Sequence, residues 1–171
     1  MGMAAGCATG NNAPVQDGNG PKFYDPALRV EIEDVSGSEV INEDKTISVA
    51  EFRGKVVVLN MWGSWCPPCR VETYELNKLA DDTKSELVQV VGIDVRDDRA
   101  RAADFIYNFQ LNYPSIFDPA GRVGLSLPGI PLIAPPTTVV IDKEQRVAAV
   151  FLGQILASDV MPAVQRVLAE L

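Results

Sequence analysis

The sequence contains no histidine, and this absence removes several classes of chemistry at once. A Ser-His-Asp triad, an imidazole proton shuttle and a histidine-ligated metal site all need a residue that the chain lacks. Basic residues are also outnumbered, with 15 Lys and Arg against 23 Asp and Glu and a formal net charge of −8. Because a surface that follows a phosphate backbone is basic, this balance argues against a nucleic acid as partner.

Cysteine is scarce, with only Cys7, Cys66 and Cys69 in 171 residues. A chain of this length suits one domain with a sizeable core, which needs no disulfides to hold it together. Long apolar runs are missing too, and none reaches the length of a transmembrane helix. One close pair and one distant cysteine therefore indicate cysteine chemistry rather than a disulfide scaffold.

Residues 1–22 are rich in Gly, Ala and Asn and are predicted to form a flexible leader ahead of a single domain, residues 23–171. The small residues at positions 4–6 stand directly before Cys7 and resemble the end of a lipoprotein signal, although the apolar segment of such a signal is not in the sequence. We interpret Cys7 as a lipid attachment site that tethers the domain to the outer side of the cytoplasmic membrane. The alternative is an incidental cysteine in a disordered tail.

Hydrophobic patterns predict an α/β domain. Short strand patterns come first, and a continuous β-branched run at residues 55–61 indicates a strand that is buried on both faces. The other predicted elements are helix 70–81, strand 87–95, an amphipathic helix around residues 102–109, a hairpin of strands 137–142 and 147–152, and a C-terminal helix with Ser158 as its N-cap and Pro162 in its first turn. Strand and helix alternate first and a hairpin follows, which favours a mixed central sheet.

The pair Cys66 and Cys69 is separated by two prolines, and such a pair binds metal or performs redox chemistry. A structural zinc site needs four ligands, and the chain offers neither a second cysteine pair nor a histidine. A c-type haem site needs histidine directly after the pair, where Arg70 stands. The pair therefore favours thiol–disulfide chemistry, with neither metal nor other cofactor.

The position of Cys66 gives this interpretation a physical basis. It follows a predicted buried strand and precedes a helix, whose free N–H groups and dipole stabilise a thiolate. We expect Cys66 to be the exposed nucleophile and Cys69, one turn inward, to resolve the mixed disulfide. Trp62 and Trp65 are expected to wall the site and face the substrate together with Pro67 and Pro68, although ordinary packing would also explain the two tryptophans.

Three segments together resemble one family. The run Trp62-Gly63-Ser64-Trp65-Cys66-Pro67-Pro68-Cys69, the strand Val90-Val91-Gly92-Ile93-Asp94-Val95 with Asp97 and Asp98 behind it, and Pro136-Thr137-Thr138-Val139-Val140-Ile141-Asp142 are similar to the thioredoxin-like proteins of the TlpA/ResA/CcmG group. The resemblance runs from about residue 24 to residue 171. It implies a thioredoxin-like fold whose mixed sheet is flanked by helices, with an N-terminal β-hairpin extension and an inserted strand and helix.

The resemblance also assigns roles to single residues. Asn60 stands where ordinary thioredoxins keep a buried Asp, so an amide closes that proton route. Glu72 matches the active-site Glu of the cytochrome-maturation reductases and shares a helix face with Cys69; a solvated surface Glu is the alternative. Pro136 matches the cis-proline that faces the disulfide, and Pro135 before it is an unusual neighbour; a plain rigid turn is the alternative for both.

The resemblance implies a tethered reductase of exported clients such as apocytochrome c, which takes electrons from a membrane thiol-transfer protein of the CcdA or DsbD kind. An exported, disulfide-forming oxidant of the DsbE kind would use the same two sulfurs, and the reduction potential separates these functions. A peroxiredoxin-type peroxidase is disfavoured because no Thr stands shortly before Cys66. A copper chaperone would use the soft thiolates of the pair, but related carriers add a His.

Overall fold

A six-stranded mixed sheet forms the centre of the computed structural model, which describes residues 20–128, 130 and 134–170. Its strands are β1 (Lys22–Phe23), β4 (Val56–Trp62), β5 (Val88–Val95), β6 (Ser115–Asp118), β7 (Thr137–Ile141) and β8 (Val147–Leu152), in the order β1-β8-β7-β4-β5-β6. Strands β4, β5 and β6 are parallel neighbours, and the remaining pairs are antiparallel. Two further strands, β2 (Ser36–Ser38) and β3 (Thr46–Ser48), form the expected N-terminal hairpin.

Strand β4 lies between β5 and β7, and all seven of its residues are buried. Because successive side chains in a strand point to opposite faces, its β-branched run supplies both halves of the core. Val56 and Val58 join the core on one face, and Val57 and Leu59 join the core on the other. The continuous apolar run therefore predicted a central strand correctly.

Three α-helices cover the sheet: α1 (Pro67–Asp82), α2 (Arg99–Phe109) and α3 (Ala157–Leu168). Helices α1 and α3 pack together on the Val56 face. Helix α2 begins after Asp98, whose side chain accepts hydrogen bonds from the N–H groups of Ala100 and Arg101. The fold is the thioredoxin-like α/β fold predicted from the sequence, with α2 as the inserted helix.

Two details differ from the sequence-based expectation near the C-terminus. Helix α3 starts two residues early, so its N-cap is Leu156 and not Ser158. Asp159 accepts a hydrogen bond from the Leu156 N–H at 2.8 Å, which satisfies the helix end without a Ser cap. Pro162 consequently lies inside the helix and not in its first turn.

Residues around Arg29 also depart from prediction, because their alternating pattern produces no strand. Only Glu31 forms an isolated bridge, with Arg146. The Arg29 guanidinium turns inward instead and pairs with Asp142 at 3.1 Å and Glu170 at 2.5 Å. The short strand β6 was not predicted, since its pattern of four residues is too brief to recognise.

Among the described residues, no helix is both long and apolar enough to cross a membrane. Residues 1–19, which include Cys7 and most of the leader predicted for residues 1–22, lie outside the described part of the chain, as do residues 129, 131–133 and 171. Lys22, the last residue of that predicted leader, belongs to β1.

Candidate active site

A disulfide joins Cys66 and Cys69 at the point where the central strand gives way to helix α1. Cys66 is the N-cap of the helix, and Pro67 and Pro68 occupy its first two positions. Proline is tolerated there because the first N–H groups of a helix have no intrahelical partner. The Cys66 N–H donates to the Gly63 carbonyl at 3.0 Å, which closes the turn between strand and helix.

Burial of the disulfide differs from the expectation that Cys66 is exposed. Both cysteines are 2% exposed and belong to one apolar cluster with Trp62 and Phe105. Helix α2 causes this, because its Ala102 and Phe105 side chains pack over the end of β4. The expectation was wrong for this oxidised form, although Cys66 does lie at the helix N-terminus.

The two tryptophans have different positions, and only Trp65 can face a substrate. Trp62 is 1% exposed, stacks on Phe105 with ring centroids 4.8 Å apart and donates its N–H to Ser115 Oγ at 3.3 Å. The expectation that Trp62 faces the substrate is therefore wrong, because it is a β4 residue that α2 covers. Trp65 is 48% exposed and donates its N–H to the Val95 carbonyl at 3.2 Å.

Two pairs of prolines lie at this end of the central strands. Pro67 and Pro68 are exposed, as a substrate-facing role requires. The Pro135–Pro136 peptide bond is cis, as predicted, with Pro135 partly exposed and Pro136 buried. Strand β7 starts directly after Pro136, and its Thr137 lies opposite Met61. The proline loop therefore lies at the end of the central strands from which the chain continues to Cys66.

Glu72 is buried one helical turn after Cys69, on the same face of α1, and is only 1% exposed. Asn60 donates a side-chain hydrogen bond to Glu72 Oε1, and Thr138 Oγ1 lies 3.4 Å from the same oxygen. The Ile155 N–H donates to the other oxygen at 3.2 Å. These contacts rule out a solvated surface position for this side chain.

Burial raises the pKa of Glu72 to about 7, even though the hydrogen bonds from Ile155, Asn60 and Thr138 favour the charged form and oppose the rise. At neutral pH the carboxyl group therefore exchanges a proton readily. Asn60 is itself buried and its amide cannot titrate, so Glu72 is the titrating member of this hydrogen-bonded pair.

A second carboxyl group holds the active-site loop, and sequence reasoning missed this role. Asp97 accepts hydrogen bonds from the Ser64 N–H at 2.5 Å and from the Ser64 hydroxyl at 3.0 Å. Behind it lies Asp94, which is fully buried in β5. A signal was available, because Asp94 is a charged residue inside an apolar strand pattern, where a partner or a function is needed.

A groove of about 560 Å³ opens beside the disulfide, between the loop that precedes Cys66 and helix α2. Trp65, Phe105 and Phe109 form its apolar wall. Its polar lining consists of Ser64, Arg70, Arg101, Asp104 and Asn108. The groove is large enough for side chains of a protein segment, and it ends at the residues that flank the cysteines.

The described residues contain no group of three or more Cys, His, Asp or Glu side chains placed to bind a metal ion. What the site does contain is a disulfide at a helix N-terminus, a cis-proline loop at the same end of the central strands and a buried acid one helical turn after Cys69. Together with the sheet topology, these features define a thioredoxin-like protein with a redox-active type of disulfide.

The chain belongs to the redoxin family, whose model matches residues 24–165. A secreted thiol-disulfide isomerase from Corynebacterium glutamicum is 39% identical and superimposes with a TM-score of 0.85 over 90% of this chain and 95% of that one. A relative that acts on thiols and disulfides agrees with the family resemblance drawn from the sequence.

Two curated relatives carry the names that the sequence suggested. The thiol-disulfide oxidoreductase ResA of Bacillus thuringiensis subsp. konkukian is 32% identical over 66% of this chain and 63% of its own length. The thiol:disulfide interchange protein DsbE of Pseudomonas fluorescens is 36% identical over 67% of this chain and 61% of its own length. The chain thus spans less than two thirds of these two relatives.

Proposed function

We propose that this protein catalyses thiol–disulfide exchange outside the cytoplasm and reduces disulfides of exported client proteins. The observation that carries the proposal is the Cys66–Cys69 disulfide at the N-terminus of α1, with the buried Glu72 on the same helix face. A secreted relative of 39% identity supports the location.

In the proposed reaction, the thiolate of reduced Cys66 attacks one sulfur of a client disulfide. A mixed disulfide forms and the other client sulfur leaves as a thiolate. Cys69 then attacks the Cys66 sulfur, which releases the second client thiol and leaves Cys66 and Cys69 joined. Two electrons have passed to the client, and a dithiol donor must return them.

Glu72 is proposed to take the proton of Cys69 when that thiol attacks. With a pKa of about 7, it accepts and returns a proton near neutral pH. The family resemblance suggests apocytochrome c as client and a membrane thiol-transfer protein of the CcdA or DsbD kind as electron donor. The client's peptide is proposed to lie in the groove beside Trp65, with Pro67, Pro68 and the Pro135–Pro136 loop along its path.

Trapping tests the assignment of the two sulfurs. The Cys69→Ser protein should accumulate a mixed disulfide with its client through Cys66, since the resolving thiol is missing. Cys66→Ser is the matched control and should accumulate none. Preferential alkylation of Cys69 in the reduced wild-type protein at neutral pH would contradict the assignment.

Membrane attachment through Cys7 is a separate part of the proposal, supported by the small residues before it and the polar linker after it. A single lipid chain holds a protein only weakly, so we expect more than one acyl chain. Mass spectrometry of the protein from its native membrane should show the lipid on Cys7, and Cys7→Ser should move the protein to the aqueous fraction. An unmodified Cys7 in the native protein would refute the anchor.

A further inference from the structure

Asp94 is a buried carboxyl group that the proposed exchange reaction does not use. It is fully buried, and neither oxygen has a hydrogen-bond donor within the described part of the chain. An unpartnered buried carboxylate is costly, so such a group takes up a proton or finds a counter-ion. The surroundings of Asp94 decide between these two possibilities.

The cation whose charge acts on Asp94 has other hydrogen-bond partners. Arg99, at the start of α2, donates to the carbonyl oxygens of Glu39 and Val40 at 2.6 and 3.1 Å and to Ser38 Oγ at 2.7 Å. It therefore holds the N-terminal hairpin and forms no ion pair with Asp94. Its charge still favours the ionised form of Asp94, but more weakly than burial opposes that form.

Two other carboxyl groups face Asp94. Asp118, at the end of β6, accepts hydrogen bonds from the N–H groups of Arg122 and Val123, and its charge opposes ionisation of Asp94. Asp97 follows β5 and presents its carboxyl group directly to that of Asp94. From β4 the neighbour in register is Trp62, which does not titrate. Burial, followed by the charge of Asp97, raises the pKa of Asp94 to about 8.

We infer that Asp94 holds a proton at neutral pH and donates it to Asp97, and that this carboxyl pair positions the loop before Cys66 for protein clients. Asp97 accepts hydrogen bonds from Ser64 and from the Asp98 N–H, whereas Asp94 has no donor, so the contact between these two carboxyl groups is favourable only with a proton between them. The proton fixes Asp97, and Asp97 in turn fixes the N–H and hydroxyl of Ser64.

The neighbouring Trp65 is anchored to the same strand end through the Val95 carbonyl, so the position of this loop sets one wall of the groove. When Asp94 loses its proton, two adjacent negative charges repel each other, and Asp97 turns away from Ser64. Asp94 is thus a positioning residue, and it makes the exchange with protein clients decline above about pH 8. This inference extends the proposed function, because it concerns client docking and not the sulfur chemistry.

The direct test is the NMR chemical shift of the Ser64 amide proton in the oxidised full-length protein, which requires no enzymatic activity. In the wild-type protein this signal should titrate near pH 8 as the bond to Asp97 weakens. In Asp94→Asn it should stay constant, because the amide donates to Asp97 at every pH. A wild-type signal that does not titrate between pH 6.5 and 9.5, or the same titration in Asp94→Asn, would overturn the inference.

A kinetic test uses two probes, insulin as a protein disulfide and oxidised glutathione as a small one. The ratio of the two rates cancels the pH dependence of the attacking thiolate. This ratio should fall about fivefold between pH 7 and pH 9 in the wild-type protein, the effect of one lost hydrogen bond to a charged group, and should not fall in Asp94→Asn. A ratio with the same pH dependence in both proteins would refute the positioning role, whereas no reaction with either probe would count against the proposed function itself.

Discussion

Asn60 on strand β4 donates a hydrogen bond to Glu72 on helix α1, so the central strand and the active-site helix are joined by a buried amide–carboxyl contact. The acid in this pair carries the titration, because the amide cannot. Since burial raises the pKa of Glu72 from 4.5 to about 7, the folded protein holds a proton there that the unfolded chain releases. The contact therefore links folding to pH.

Glu72→Gln should remove this link. A raised acid pKa means that stability is greatest below the unfolded value of 4.5 and is lost as pH rises to about 7. The wild-type free energy of unfolding should thus lose roughly 3 kcal/mol over that interval through Glu72, at about 1.4 kcal/mol for each pH unit. Urea unfolding at several pH values should show a flatter profile for Glu72→Gln, and the pH dependence of thiol exchange should flatten too.

Glu86→Gln is a suitable control, because Glu86 is exposed and its loss should leave the wild-type profile unchanged. Glu72→Gln should also lower stability by about 1 kcal/mol at acidic pH, since its amide must turn an NH₂ group toward either Asn60 or the Ile155 N–H and lose one hydrogen bond. Parallel profiles for wild type and Glu72→Gln would show that Glu72 is not the titrating group.

The reduction potential of the Cys66–Cys69 couple is predicted to be reducing, nearer to about −270 mV, as in thioredoxin, than to about −120 mV, as in DsbA. A strong oxidant needs a strongly stabilised thiolate. Here Pro67 and Pro68 fill the first two helix positions and offer no N–H, and Arg70 is exposed and donates to the Ser64 carbonyl at 3.2 Å. Equilibration with glutathione and dithiothreitol buffers measures the potential. A couple that stays reduced near −150 mV would favour the disulfide-forming alternative.

Arg29→Ala should destabilise the protein by about 3 kcal/mol, because it removes one partner of a buried ion pair. The Arg29 and Asp142 side chains are 2% and 1% exposed. Arg146 still contacts Asp142 at 2.9 Å, which keeps the loss at the lower end of the usual range. The exposed pair of Arg53 and Glu31 is the control: Arg53→Ala should cost less than about 1 kcal/mol. Equal urea midpoints for the two variants would contradict this prediction.

Gly92→Ala should destabilise the protein by about 2 kcal/mol through overpacking. A β-carbon at position 92 would lie 2.7 Å from Trp62 Nε1 and would collide with Ser115 Oγ. Ser115→Gly opens part of this space, so the double variant should lose less stability than the sum of the two single changes. Additive losses in thermal unfolding would contradict this prediction, because they would show that the Ser115 side chain does not obstruct the added methyl group.

Local patterns in the sequence were sufficient for much of the fold. The β-branched run before Cys66 predicted the central strand, and the 3.6-residue spacing of apolar residues predicted α2. The helix predicted at residues 70–81 is present as α1, although it begins three residues earlier, at Pro67. These features depend on neighbours along the chain, and local backbone preferences and one buried face are enough to specify them.

Contacts between distant segments decided the rest. The sequence placed Glu72 near Cys69, but its raised pKa depends on burial in the folded protein, and its hydrogen-bond partners Asn60, Thr138 and Ile155 come from three other segments. Trp62 was predicted to be accessible, yet α2 covers it. The alternating residues around Arg29 formed ion pairs in place of a strand. The sequence by itself determined which residues are capable of redox and proton chemistry, and the tertiary structure determined which of them lie together. The reason is that burial and charge pairing depend on neighbours that only packing brings into contact.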